Sequence, residues 1–158
     1  LTNEALNMIK DEQIKQRYDL ALEALSGKKE YKVSHILAKT KFEINKAKKS
    51  LSNNSFADVA KTFSIDEKSS KSGGSLGYII EGAAIKEFED QFKDLKKDEI
   101  SKPFKTALGW HIVQLSDVRE VAPAKYEEVK NKIKLSLAEE NKQQIINDLV
   151  ENVKIELY

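Results

Sequence analysis

The chain contains no cysteine among its 158 residues. That excludes disulfides, thiolate nucleophiles and cysteine metal ligands. Long apolar stretches are also missing: no run approaches the eighteen or so residues that a membrane-crossing helix needs. Charge of one sign is not in excess either. The 27 basic and 26 acidic side chains nearly cancel, which leaves no global field to draw the chain to nucleic acid or an anionic membrane. The local clusters Lys28-Lys29 and Lys46, Lys48, Lys49 could form a basic patch, but their polar neighbours read as solvated edges. Histidines number two, and His35 and His111 lack the close ligand spacing of a zinc site. The opening residues, with polar Thr2, Asn3 and Glu4 behind Leu1, do not read as a signal peptide. A first residue other than Met reads as a processed or truncated product.

What is present is the composition of a globular protein, 40% hydrophobic and 34% charged. The length suits one domain with a proper core, or one compact domain carrying extra helices. A helix is predicted from Thr2 to Ser26: Thr2 suits the N-cap, Ile14, Tyr18, Leu22 and Leu25 recur at helical spacing, and Gly27 stops it. A second long helix is predicted after Pro123. Its stripe is Tyr126, Val129, Ile133 and Leu137, continued with a phase shift by Ile145, Leu149 and Val150. Each stripe requires a cover, which the other helix, the central region or a second copy of the chain could supply.

Between them the period changes. Tyr31, Val33, His35 and Leu37 alternate with Lys32, Ser34 and Ile36, as in a strand whose first set faces a core. Thr40 with Glu43 and Ser55 with Asp58 read as capped helix starts, with Asn53-Asn54 between the two helices. A loop is expected from Ser64 to Ser75, then a short strand over Leu76–Ile79. A helix over Glu87–Leu95 would carry Phe88, Phe92 and Leu95 on one side. A final hairpin is expected from Pro103–Thr106 and Trp110–Leu115, with His111, Val113 and Leu115 on one face.

Both histidines thus fall on apolar faces of predicted strands. Taken alone, such a histidine is more often a hydrogen-bonded core residue than a catalyst. The run Gly73-Gly74-Ser75-Leu76-Gly77 lacks the Lys-Ser/Thr of a phosphate loop and precedes a strand, so it reads as a tight turn needing positive φ.

Order and spacing alter the weight of these pieces. Val33-Ser-His-Ile-Leu37, Phe56-Ala-Asp-Val-Ala60, Phe63-Ser-Ile-Asp66, the glycine run, Phe88-Glu89, and Glu99 to Phe104 followed by Thr106 and Gly109-Trp-His-Ile-Val113 together resemble the parvulin-type peptidyl-prolyl cis/trans isomerases. The resemblance covers roughly 87 residues. It implies an α+β fold, a four-stranded antiparallel sheet surrounded by helices, with flanking N- and C-terminal helices. The implied division is a flanking helix over 1–29, an isomerase domain over 30–118 and a C-terminal helix and tail over 119–158.

Carried over to this chain, the resemblance implies that His35 and His111 form a histidine pair on neighbouring strands, bonded to each other beneath the substrate, with Thr106 supporting them. Asp66 falls at the polar position beside the substrate carbonyl. Leu76 and Phe88 fall on the walls of the proline pocket. Ala84 stands where many relatives have Met, Ile79 where an aromatic is usual, and Ser75 where an acid is common, so pocket depth and preference depart from the family pattern. No counterpart of the basic residues that hold phosphoserine follows His35.

The implied activity is rotation about X-Pro bonds with neither a cofactor nor a metal, acting on unfolded or proline-containing polypeptides and not on nucleic acid. The flanks look like those of SurA-like and PrsA-like foldases, with Val153 to Leu157 as a further strand. That implies assistance to exported proteins, a periplasmic or extracytoplasmic location, and a homodimer through the flanking helices as one arrangement. The alternative is a chaperone module that binds unfolded chains through a vestigial isomerase site.

Overall fold

The computed structural model describes the backbone of residues 3–156 and the side chains of residues 5–148. Its contacts divide the chain into two units, residues 27–121 and residues 1–26 with 122–158.

The first unit is built on four strands, β1 (Lys29–Ala38), β2 (Ser75–Ile80), β3 (Phe104–Thr106) and β4 (Gly109–Glu120). They form one antiparallel sheet in the order β2-β1-β4-β3. The expected architecture is therefore present. Central β1 differs in one respect from the alternation read in its sequence: both of its faces are covered. Tyr31 and Val33 face one cluster with Phe88, Phe92, Val113 and Leu115. Ile36 and Ala38 face another with Ile44, Ala47, Phe56, Val59, Ala60 and Ile112. A strand buried on both sides loses its period-two signature, which is why Ile36 looked solvent-facing.

The second cluster is supplied by two helices, α3 (Lys41–Ser50) and α4 (Phe56–Phe63), numbered after two helices of the other unit. Thr40 Oγ1 accepts from Glu43 N–H at 3.2 Å while Glu43 accepts from Thr40 N–H at 3.0 Å. Ser55 Oγ accepts from Asp58 N–H at 3.1 Å. Each cap satisfies a donor that a helix start would otherwise leave orphaned.

Several expectations for this unit need correction. The helix over Glu87–Leu95 is regular only as α6 (Lys86–Glu89). Beyond it the chain tightens into i→i+3 bonds, Gln91 N–H to Phe88 O and Phe92 N–H to Glu89 O, both 3.1 Å. The apolar spacing survives, so Phe88 and Phe92 are still buried. The loop between Ser64 and Ser75 contains a four-residue helix, α5 (Glu67–Ser70), capped by Asp66. In addition, β4 runs five residues past Leu115 against the start of β1. Its charged residues carried no strand pattern; there Arg119 pairs with Glu30 and lies 3.7 Å from the Tyr78 ring centre.

The second unit consists of α1 (Asn3–Asn7), α2 (Asp11–Leu25) and α7 (Tyr126–Glu156). The single N-terminal helix expected is broken: Lys10 is extended, and Gln13 Oε1 accepts its N–H at 2.9 Å. Asp11 and Glu12 then complement the new helix start. Thr2, the expected cap, lies outside the described residues. The flanking stripes do cover each other, with Ile9, Ile14 and Ala138 buried among Leu6, Tyr126, Ile133 and Leu137. Tyr18 meets Tyr126 edge-on and donates to Ala124 O at 2.9 Å. The stripe does not extend to Ile145, which is exposed; the side chains of Leu149 and Val150 lie outside the described residues. The strand expected over Val153–Leu157 is instead helix as far as Glu156, and Leu157 lies outside the description. Among the described residues no helix is long and apolar enough to cross a membrane.

Candidate functional site

The two histidines are brought together by strand register. His35 lies opposite Val113 and His111 opposite Leu37. Opposed residues of an antiparallel pair share a face, so the imidazoles are diagonal neighbours on one side of the sheet. Their ring centres are 5.7 Å apart and 26° from parallel. Both rings are buried, His35 to 7% and His111 to 2% exposure.

The hydrogen bond expected between the two rings is not there. Each Nε2 is claimed by oxygen: His35 by Asp66 Oδ2 at 2.8 Å and Ser69 Oγ at 3.1 Å, His111 by Thr106 Oγ1 at 2.7 Å. Both Nδ1 atoms are buried without a partner among the described residues. The pair is therefore stacked, with its bonds directed outward to neighbouring oxygens.

Asp66 reaches His35 because the loop after α4 takes over the edge of β1 where β2 leaves it. Leu37 N–H donates to Ser64 Oγ at 3.1 Å and Leu37 O accepts from Ile65 N–H at 2.8 Å. Two residues upstream, His35 N–H donates to Gly74 O at 2.8 Å. Asp66 is held between these attachments. A Cβ on Gly74 would lie 2.3 Å from His35 O, and φ there is +81°. Only glycine permits that approach, which gives the glycine turn its role at this site.

The carboxylate oxygens accept bonds but do not donate them. The single Ser69 hydroxyl hydrogen goes to Asp66 Oδ2, at 2.5 Å. His35 Nε2 must then carry a proton, shared between Asp66 Oδ2 and Ser69 Oγ. These bonds hold the Asp66 carboxyl below the usual carboxylate range, Ser69 having the larger effect and His35 the next. Burial, and then the neighbouring His35, push His111 down to about 4. At neutral pH the site therefore holds an ionised Asp66 against His35, and a neutral His111 on the far side of that ring.

An apolar wall adjoins the imidazoles. Phe88 meets His35 and His111 edge-on, with centres 6.1 and 5.5 Å away, and Phe104 stacks on His111 at 5.3 Å. Ile79 and Ala84 pack against the Phe88 cluster. Leu76 belongs to neither buried cluster of this unit and is 37% exposed. The structure thus gathers seven of the eight residues singled out from sequence into the histidine network or the Phe88 cluster, and leaves Leu76 apart. Two neighbours were not singled out. Ser69 was one of several serines in a polar loop, and only the α5 turn capped by Asp66 brings it inward. Phe104 was legible as the first residue after Pro103 in the closing hairpin, but its stacking follows from its pairing with His111 in β3–β4.

Comparison with known proteins gives a consistent neighbourhood. Residues 27–117 match the family described as the PPIC-type PPIase domain, or rotamase. The chain is similar to foldase protein PrsA 1 of Bacillus cereus, 39% identical over an alignment of 145 residues that covers 90% of this chain and 47% of the relative. Its fold resembles the crystal structure of the peptidylprolyl isomerase PrsA from Bacillus anthracis, at TM-score 0.57 and 36% identity, covering 87% of this chain and 58% of that one. It also resembles a structure from a study of two SurA-like chaperones of Campylobacter jejuni, at TM-score 0.57 and 26% identity, covering 98% of this chain and 65% of that one. The chain spans about half the length of the curated relatives it matches.

Proposed function

We propose that this chain, which belongs to the family of PPIC-type peptidyl-prolyl cis/trans isomerase domains, catalyses rotation about X-Pro bonds in unfolded polypeptides and so assists their folding. The observation that carries the reading is the buried stack of His35 and His111, with Asp66 and Thr106 on their outer nitrogens and Phe88 against both rings. The isomerase domain is taken as residues 30–118, with flanking segments over 1–29 and 119–158.

Rotation about an X-Pro bond must overcome about 18–20 kcal/mol of lost amide resonance. An acceleration of about 10⁴ requires about 5.5 kcal/mol of preferential stabilisation of the twisted amide. No bond is made or broken, so no proton need be transferred. In this reading Phe88, Ile79 and Ala84 grip the proline ring, with Leu76 at the rim. The charge of Asp66 and the fixed dipoles of His35, His111 and Thr106 favour the twisted carbonyl over the planar one. Such preorganised groups act without reorganising as the bond turns. Ala84 is small and Ile79 is not aromatic, which supports a shallow proline pocket.

The clients are unfolded or proline-containing chains. Nucleic acid is not among them, in keeping with the near cancellation of charge. The likeness to foldases and SurA-like chaperones supports a periplasmic or extracytoplasmic location. Exposed Leu20 and Leu135 on the flanking helices, with exposed Met8 in the turn after α1, support a homodimer through that unit.

Two substitutions test the assignment on a proline tetrapeptide. Phe88→Ala should chiefly raise KM, with a smaller change in kcat, since ring contact is lost in ground and transition states alike. Asp66→Ala should lower kcat roughly tenfold or more with a smaller change in KM, as expected for an interaction made mainly in the transition state. Folded variants with unchanged catalysis would place the active site elsewhere.

A further inference from the structure

Ser69 is polar, 4% exposed, and lies in a loop whose other serines carry no such burial. Its carbonyl accepts from Ser72 N–H at 2.9 Å and Gly74 N–H at 2.8 Å. The residue's backbone is thereby fixed by the glycine turn, independently of its hydroxyl. Among the described residues the hydroxyl reaches two polar side chains, Asp66 and His35. A buried hydroxyl needs one partner to be satisfied; this one is shared by the two groups whose relative placement defines the site.

Asp66 divides its oxygens between two tasks. Oδ1 caps α5 through Lys68 N–H at 3.3 Å, while Oδ2 accepts from Ser69 and His35. Its side chain is 23% exposed, so water competes for Oδ2 whenever a protein donor is withdrawn. His35 alone would hold that oxygen by one bond. Ser69 supplies a second from the opposite partner and also accepts part of the His35 Nε2 proton, closing a three-membered set.

We propose that Ser69 is a positioning residue for the isomerase reaction: its buried hydroxyl locks the Asp66 carboxylate against His35 Nε2, holding the charge and the imidazole tautomer that favour the twisted amide. The proposal rests on the reading of Asp66 and His35 given above. Ser69 need not touch substrate, so ground-state binding should be largely indifferent to it.

The experiment uses the whole chain with Ser69→Ala and Asp66→Ala, each assayed for tetrapeptide isomerisation by NMR exchange, with the imidazole ¹⁵N resonances of His35 recorded alongside. Loss of one charge-assisted bond should lower kcat roughly three- to tenfold in Ser69→Ala and leave KM within about twofold, as for a loss confined to the transition state. The His35 ¹⁵N resonances should move from a single Nε2–H tautomer toward an average of the two. A kcat and ¹⁵N spectrum equal to those of the unaltered chain, with Asp66→Ala impaired, overturns the role of Ser69 and leaves the underlying reading standing. Unchanged kinetics in Asp66→Ala as well would remove both. If Ser69→Ala does not fold, Ser69→Cys decides by the same two readings, because a thiol of similar size is a weaker donor and should give the same changes in smaller measure.

Discussion

Protonating His111 would place a charge on a ring that is itself almost fully buried, and the consequence is readable as stability. Its folded value of about 4 lies below the ordinary histidine value of 6.5. The unfolded chain therefore binds the proton first as pH falls. This contribution to stability is complete above about pH 6.5 and is lost as pH falls toward 4, amounting to about 3 kcal/mol at 1.36 kcal/mol per unit. Asp66, held below 3.8, loses its contribution only at still lower pH, and comparison with a chain lacking His111 isolates the His111 share of the window from 6.5 to 4. Urea unfolding across that window should show the loss in the unaltered chain and a much smaller one in His111→Gln; equal slopes in the two would contradict it. At this scale much was legible. His35 and His111 stood out because they were the only histidines and both fell on apolar strand positions. Their lack of a mutual bond was not legible, since it depends on which oxygen reaches each Nε2, and that is set by the α5 turn and the β3–β4 pairing. Ser69 was hidden for the same reason: nothing local distinguishes it from Ser70 or Ser72.

The elements that hold the site are short, and their security depends on particular backbone geometry. Gly74 and Gly77 both adopt positive φ, but a Cβ on Gly74 meets His35 O at 2.3 Å whereas one on Gly77 meets nothing within 4 Å. Gly77→Ala should therefore cost only the conformational penalty, about 1–2 kcal/mol. Gly74→Ala must also push β1 away and should cost about 3 kcal/mol or more, within the range of severe single substitutions, while disturbing catalysis through His35. Chemical denaturation of the two variants checks this; equal losses would show that the close approach does not matter. The glycine run was readable as a turn needing positive φ, and the Thr40 and Ser55 caps were readable because their signals are local. The missed features share a different character. The break at Lys10 is held by a side-chain bond from Gln13, the tightening after Glu89 by i→i+3 backbone bonds, and the extension of β4 through Glu120 by pairing with β1 that its charged residues did not signal.

At the scale of the whole molecule, the chain separates into a sheet unit and a helical unit with distinct buried clusters. The histidine network and the Phe88 wall lie entirely within residues 27–121. A fragment of those residues should fold and isomerise a tetrapeptide at a rate within a few-fold of the whole chain; an inactive but folded fragment would mean that the flanking helices complete the site. The family pattern could be read in one continuous stretch because its pieces are sequential, whereas the pairing of α2 with α7 joins segments more than a hundred residues apart and was open to three kinds of cover until the structure showed one. The central claim is catalysis of X-Pro rotation at this site. It is tested most directly by NMR exchange on an Ala-Ala-Pro-Phe tetrapeptide with a sub-stoichiometric amount of the protein. Catalysis predicts cis/trans exchange far above the spontaneous rate and proportional to protein concentration. Exchange at the spontaneous rate, from a folded chain that still suppresses aggregation of an unfolded client, would contradict it and identify a binding module instead.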